Sequence, residues 1–143
     1  MANLDVNYLM DTSSSIALIT GKPLSVRANF QKSLNTGSQV FVSSIVASEL
    51  WYRVAKKSHK GLNAKGLRSF LGGPVTRISF ENEDAEIAGT VRAELKQSGI
   101  TIGACNLLIA GQALRHHLTV VTANQSEFAR IKNLVWQDWA VSR

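Results

Sequence analysis

The sequence contains a single cysteine, Cys105, and only three histidines among its 143 residues. One cysteine cannot form an internal disulfide, and it excludes zinc sites built from several cysteines. Long hydrophobic runs are also missing, since no stretch approaches the ~20 apolar residues that span a bilayer. The start, MANLDVNYLMD, has no basic segment followed by an apolar one. We therefore expect a soluble, cytoplasmic protein with no membrane association.

The scarcity of cysteine and histidine also limits covalent catalysis. Cys105 near a helix start would need His116 or His117 as its base. A helix rises ~1.5 Å per residue, so His116 would lie about 16 Å along the helix from Cys105, too far for a hydrogen bond. We expect Cys105 to be a buried structural residue and the two histidines to form a polar helix end.

Acidic residues are fewer than basic ones. Ten acids stand against sixteen lysines and arginines, giving a net charge of +6 and a pI near 9.8. This balance indicates an anionic partner, of which nucleic acid is the commonest for a small cytosolic protein. Six bases lie close together without an intervening acid: Arg53, Lys56, Lys57, Lys60, Lys65 and Arg68. A solvated helix face would carry the same pattern, and charge alone does not distinguish RNA from DNA.

Short β-branched segments alternate with longer helical patterns along the chain. The predicted strands are residues 6–10, 40–43, 75–79, 118–122 and 134–137. Strands that alternate with helices predict a mostly parallel sheet with helices on both faces. The length suits one domain over residues 1–143, and we predict a single α/β domain with five strands.

Three helices are predicted from apolar spacing. Between the second and third strands, Val46, Leu50 and Val54 recur every four residues and lie on one helical stripe. Residues 82–99 have acids in the first turn and Gly99 placed to end the helix. A third helix is predicted from Ala104 to His116.

Polar side chains cluster in sequence where parallel strands end. Ligands of such sheets gather outside the carboxyl ends of the strands. Five candidates fall at this edge: Asp11, Glu49, Asn106, Asn124 and Glu127. Carboxylates brought together repel each other unless a cation neutralises them, and an oxygen-only ligand set suits Mg²⁺ or Mn²⁺. Taken singly, each acid is equally a helix cap or a surface charge.

A metal held by these oxygens would orient and activate water and offset charge on a phosphoryl group. Metal-dependent phosphodiester hydrolysis therefore accounts for the acids and for the basic surface together.

Four segments carry a family resemblance: MDTSSSIALITGKP, VSSIVASELWYRVAKK, VRAELKQSGITIGACNLLIAGQAL and LTVVTANQSEFARIKNLVWQDW. Together they resemble the PIN-domain ribonucleases, most closely the VapC-type toxins of bacterial toxin–antitoxin modules. The resemblance covers nearly the whole chain. It implies a parallel α/β sheet and RNA cleavage with Mg²⁺ or Mn²⁺.

The resemblance also assigns roles to residues. It implies that Asp11 and Glu49 are the first two acids of the site, with the hydroxyls of Thr12 and Thr122 in support. The third family acid corresponds to Asn106, which is a departure from the pattern. In the fourth region, Asn124 stands at a variable acid position and Glu127 supplies a carboxylate, and either of them is the fourth ligand.

Asn106 keeps the shape of Asp but removes its charge and half its acceptor capacity, which weakens metal binding. It is either a natural divergence or an introduced change. Two hypotheses follow. The first is a homodimeric endoribonuclease toxin, neutralised by a VapB-like antitoxin, that cleaves RNA at the initiator tRNA anticodon loop. The second is a non-catalytic RNA-binding or antitoxin-binding module with the same fold.

The antitoxin of such a toxin would place a helix in an apolar groove. We predict that this groove lies between the helix containing Leu50 and Val54 and the next helical segment, near Leu67 and Phe70.

Overall fold

Apolar and β-branched segments form a five-stranded parallel sheet at the centre of the molecule. A computed structural model describes residues 6–141. Its strands are β1 (Tyr8–Met10), β2 (Val40–Ser43), β3 (Thr76–Ile78), β4 (Thr119–Val121) and β5 (Trp136–Gln137). They lie in the order β3-β2-β1-β4-β5, and each pair of neighbours is parallel. The predicted α/β class and all five predicted strands are confirmed.

Seven helices connect these strands within residues 6–141. They are α1 (Thr12–Thr20), α2 (Leu24–Asn35), α3 (Ser44–Lys56), α4 (Ala64–Leu71), α5 (Asn82–Gln97), α6 (Ala104–His116) and α7 (Gln125–Phe128). The three helices predicted from apolar spacing correspond to α3, α5 and α6. Gly99 has a φ of 74°, and its amide donates to the Lys96 carbonyl at 3.0 Å. It ends α5 as predicted.

The core lies on both sides of the sheet. Leu9 and Met10 are adjacent in β1 and therefore point to opposite faces, yet both are fully buried. Val46 and Leu50 of α3 are also fully buried. Because both faces are covered, the polar ends of the strands are left as the accessible part of the sheet.

A buried acid joins α5 to α6. Asp84 is fully buried, accepts a hydrogen bond from the Glu81 amide at 2.7 Å and lies 3.2 Å from Arg115 Nη1. His116 Nε2 lies 3.6 Å from the same carboxylate, and His117 ends α6 in the left-handed conformation. The two histidines therefore form the polar helix end that was predicted.

In the part of the chain that the structure describes, no helix is long and apolar enough to cross a membrane.

Candidate active site

Asp11 follows β1 directly and begins the site. Its Oδ1 accepts a hydrogen bond from the Ser14 amide at 2.8 Å, so it caps the N-terminus of α1. The residue is only 4% exposed. Burial raises the pKa of the Asp11 carboxyl, hydrogen bonds from Thr122 and Ser14 lower it, and the charge of Asp138 raises it further. The capping role does not neutralise this carboxylate, because no Lys, Arg or His among residues 6–141 forms an ion pair with it.

Asn106 and Glu127 are in direct contact. Asn106 lies in the first turn of α6, and its Nδ2 donates to Glu127 Oε1 at 2.7 Å. The Gly103 amide donates to the same oxygen at 3.1 Å. An aspartate at position 106 would place a second negative charge beside Glu127. The side-chain amide of Asn106 instead donates a hydrogen bond to Glu127 Oε1, and no cation is needed there.

Thr122 and Asn124 form the turn after β4. Thr122 is fully buried, and its Oγ1 accepts from the Asn124 amide at 2.8 Å. The Asn124 side chain in turn accepts from Ser126 Oγ at 3.0 Å. Thr122 thus stands beside Asp11, while the side-chain oxygen of Asn124 is used within its own turn.

Glu49 occupies the second turn of α3 and pairs with Arg53 one turn further along. Arg53 Nε lies 3.2 Å from Glu49 Oε2, and both side chains are about one-third exposed. This ion pair ties the predicted acid to the basic surface. Thr12, the other predicted supporting residue, is the first residue of α1.

The acids of the site are not grouped around one point. Within residues 6–141, no three Asp, Glu, His or Cys side chains lie close enough to hold a metal ion together. The available donors are carboxylate, amide and hydroxyl oxygens, which are the ligands that Mg²⁺ and Mn²⁺ prefer. The buried carboxylate of Asp11, which has no basic partner among residues 6–141, also suits a bound cation. The donor chemistry therefore fits a divalent metal, but with less charge than three clustered carboxylates would supply.

A groove of about 730 Å³ opens along α1, the helix that Asp11 caps. Ser13 and Ser14 of α1 contribute to one part of its lining. The charged and titratable side chains that line it are Lys22, Arg53, His59, Lys60 and Asp138. We call this feature the basic groove. Its position next to a polar strand end is suited to an extended polyanion.

The sequence-based assignment missed Lys22 and Asp138. Asp138 follows β5 directly, so the rule that identified Asp11 at the end of a strand would have found it as well. Lys22 offers no comparable signal, because the chain brings it to the groove only through the turn between α1 and α2.

One prediction near the site was wrong. Cys105 is exposed, not buried, because the first turn of α6 turns this side chain outward while Leu107 packs inward.

Comparison with known proteins identifies the fold. A family model described as PIN domain matches residues 8–134. The chain belongs to the PIN-domain family. It is 36% identical over 132 residues to ribonuclease VapC2 of Rickettsia felis, covering 92% of this chain and 97% of that protein. It is 35% identical to the tRNA(fMet)-specific endonuclease VapC of Shigella flexneri, covering 94% and 99%.

Solved structures agree with the sequence relatives. The PIN domain superposes on a chain of VapBC2 from Rickettsia felis bound to a promoter DNA fragment, with a TM-score of 0.85 and 34% identity. That match covers 94% of this chain and 99% of the other. The DNA-bound VapBC of Salmonella typhimurium gives a TM-score of 0.77 at 29% identity, with coverage of 94% and 98%. These similarities place this PIN domain among the VapC-type members of its family.

Proposed function

We propose that this PIN domain is a VapC-type toxin, a metal-dependent endoribonuclease of the cytoplasm. The observation that carries the proposal is the buried carboxylate of Asp11 at the carboxyl edge of the sheet, beside the basic groove. The names of the relatives, ribonuclease VapC2 and tRNA(fMet)-specific endonuclease VapC, support the same activity.

The proposed ligands of Mg²⁺ or Mn²⁺ are Asp11, Glu49 and Glu127, with the amide oxygens of Asn106 and Asn124 in the remaining positions. Because no three such carboxylates are grouped within residues 6–141, the side chains of Glu49 and Glu127 would have to turn toward the ion to bind it. When bound, such a metal supplies an activated water and offsets charge on the phosphate. Thr12 and Thr122 support the site with their hydroxyl groups.

The bases of the groove bind the RNA. Lys22, Arg53 and Lys60 would contact successive phosphates of a single strand, which fixes the scissile bond relative to Asp11. The substrate we propose is tRNA, with the initiator tRNA anticodon loop favoured because a relative is named for tRNA(fMet).

The proposed partners are a VapB-like antitoxin and a second copy of the chain. Two solved relatives are VapBC assemblies, which supports the antitoxin. Leu50 and Leu67 are fully buried in the core. They therefore cannot contact an antitoxin in the groove predicted between α3 and α4. The surface that α3 and α4 do offer consists of Trp51, Tyr52, Val54 and Phe70.

Asn106 is expected to impair the enzyme. Its Nδ2 is committed to Glu127, so it adds no charge to offset the dehydration of a divalent cation, which Mg²⁺ resists strongly.

The test is to restore the acid. An Asn106→Asp protein incubated with total tRNA and Mg²⁺ should cleave tRNA, and EDTA should abolish the cleavage. The parent chain should cleave much more slowly. Asp11→Asn in the Asn106→Asp background is the control and should be silent. Cleavage that persists in EDTA would show that the metal mechanism is wrong.

A non-catalytic module is the second candidate, and the hydrogen bond between Asn106 and Glu127 favours it because this bond satisfies the site without a metal. That candidate predicts salt-sensitive RNA binding that Mn²⁺ does not alter. RNA affinity measured by fluorescence anisotropy, with and without Mn²⁺, distinguishes the two candidates. A metal-dependent enzyme should bind Mn²⁺, and its affinity for RNA should then change.

A further inference from the structure

Asp138 stands level with Asp11 at the carboxyl edge of the sheet. The register pairs Met10 of β1 with Val121 of β4, and Val121 with Gln137 of β5. The next residues on the three adjacent strands are therefore Asp11, Thr122 and Asp138. The backbone continues this alignment, since the Asp11 amide donates to the Val121 carbonyl at 3.0 Å and the Thr122 amide to the Gln137 carbonyl at 2.9 Å.

Two acids thus flank the buried hydroxyl residue Thr122. Neighbouring strands lie ~4.8 Å apart, so two strand spacings separate Asp11 and Asp138 by roughly 10 Å between Cα atoms. The Asp138 charge is close enough to raise the pKa of Asp11. Asp138 also lines the basic groove together with Ser13 and Ser14 of α1, the helix that Asp11 caps.

The Asp138 side chain has one oxygen free for a further contact. Its Oδ1 accepts from the Ala140 amide at 2.9 Å. No hydrogen bond joins its Oδ2 to another group in the described stretch from residue 6 to residue 141. Asp11 is buried, and no ion pair within residues 6–141 joins either Asp11 or Asp138 to a basic side chain.

We propose that Asp138 is a further ligand residue of the metal site and supplies, from the β5 side, charge that Asn106 does not supply. This inference rests on the proposed function, because it concerns the same divalent cation. Asp11 and Asp138 would hold the cation between them or through its bound waters.

The test compares two variants that each remove one negative charge. Asp138→Asn keeps an oxygen that can accept from the Ala140 amide, so the local turn is preserved. Glu94→Gln changes an exposed acid of α5 and is the matched control. Free Mn²⁺ is measured by electron paramagnetic resonance during titration of the full chain, both as it stands and in the Asn106→Asp background.

Asp138→Asn should weaken Mn²⁺ binding about ten-fold or more, the size of effect that residues supporting a metal site show. Glu94→Gln should change the Kd less than about two-fold, because an exposed distant charge is screened. In the absence of metal, Asp138→Asn should also raise the melting temperature, since it relieves the repulsion of Asp11.

Two failures are distinguishable. If the Asn106→Asp protein binds Mn²⁺ and loses it with Asp11→Asn but not with Asp138→Asn, the assignment of Asp138 is wrong and the proposed function stands. If neither the parent nor the Asn106→Asp protein binds Mn²⁺, the metal-dependent nuclease is wrong and the role of Asp138 fails with it.

Discussion

Asp11 combines a role in the fold with a role in the proposed metal site. One carboxylate oxygen caps α1 through the Ser14 amide, which stabilises the helix start. The same side chain is 4% exposed, and its charge is therefore costly in the absence of a cation. The cap explains why an acid or amide is suited to this position. The lack of an ion pair to Asp11 within residues 6–141 supports the proposal that the acid is also a metal ligand.

The first prediction at this scale concerns pH. The pKa of Asp11 in the folded protein is raised above the ordinary value of 3.8. Its contribution to stability is therefore fully present below that ordinary value and is lost as the pH rises through the folded pKa. Asp11→Asn keeps a capping oxygen but cannot ionise. We expect it to unfold at a higher temperature than the parent at pH 7.5 in EDTA, and the difference to shrink below pH 4.

Asp11→Ala is the control, since it removes both the charge and the cap. The lost cap should cost about 1 kcal/mol, so this variant should be less stable than Asp11→Asn at every pH. Thermal denaturation followed by circular dichroism measures both. If Asp11→Asn is less stable than the parent at pH 7.5, the hydrogen bonds to the ionised carboxylate stabilise the protein more than its burial destabilises it.

At the scale of elements, the pair α5 and α6 depends on one close approach. Gly111 of α6 packs against Ala88 of α5 so tightly that an added Cβ would lie 2.7 Å from the Ala88 Cβ and backbone nitrogen. Backbone atoms on a packed helix cannot move aside cheaply. The contact fixes the middle of α6, and with it the position of Asn106 in the first turn of the same helix.

Gly111→Ala should therefore destabilise the protein by about 1–3 kcal/mol, the usual cost of overpacking. Gly89→Ala on α5 is the matched control, because apart from its chain neighbours and the backbone of its own helix no atom of residues 6–141 lies within 4 Å of its added Cβ. It should stabilise the helix by roughly 0.5–1 kcal/mol. Urea denaturation measures both free energies of unfolding. Equal changes in the free energy of unfolding for the two substitutions would show that the helices can move apart at Gly111 without loss of stability.

At the scale of the whole molecule, positive charge lies on two surfaces. One is the basic groove beside Asp11, and the other is formed by α3 and α4, which present aromatic residues with cations above them. Arg68 lies 5.3 Å from the centre of the Trp51 ring, and Lys56 lies 5.2 Å from that of Tyr52. Tyr52 is 55% exposed. This surface suits an antitoxin helix with apolar and acidic residues.

Trp51→Glu should weaken binding of the cognate antitoxin roughly ten-fold or more, the effect typical of an aromatic anchor. Because Trp51 is half-buried, Tyr52→Glu is a second variant that leaves the core untouched and should weaken binding in the same direction. Val135→Glu, at a residue 59% exposed beside β5, is the control. Calorimetry with the purified antitoxin gives the affinities, and unchanged affinity in both aromatic variants would place the antitoxin elsewhere.

The sequence by itself determined the strands, the three helices with regular apolar spacing, and the place of Asp11 at the end of β1. Those features are local: β-branched runs favour strands, four-residue spacing favours helices, and a polar residue after a buried strand marks the sheet edge. The segment over residues 12–20 was not assigned, because its serine, threonine and isoleucine residues are weak helix formers. There the Asp11 cap and burial against the sheet form α1.

Only the tertiary structure decided which side chains meet. Asn106 and Glu127 are 21 residues apart and touch through the packing of α6 against α7. Asp138 comes level with Asp11 through the register of β5 on β4 and of β4 on β1. Sequence spacing contains neither fact, because strand register and helix packing depend on the fit of the whole core, and that fit is a property of residues far apart in the chain.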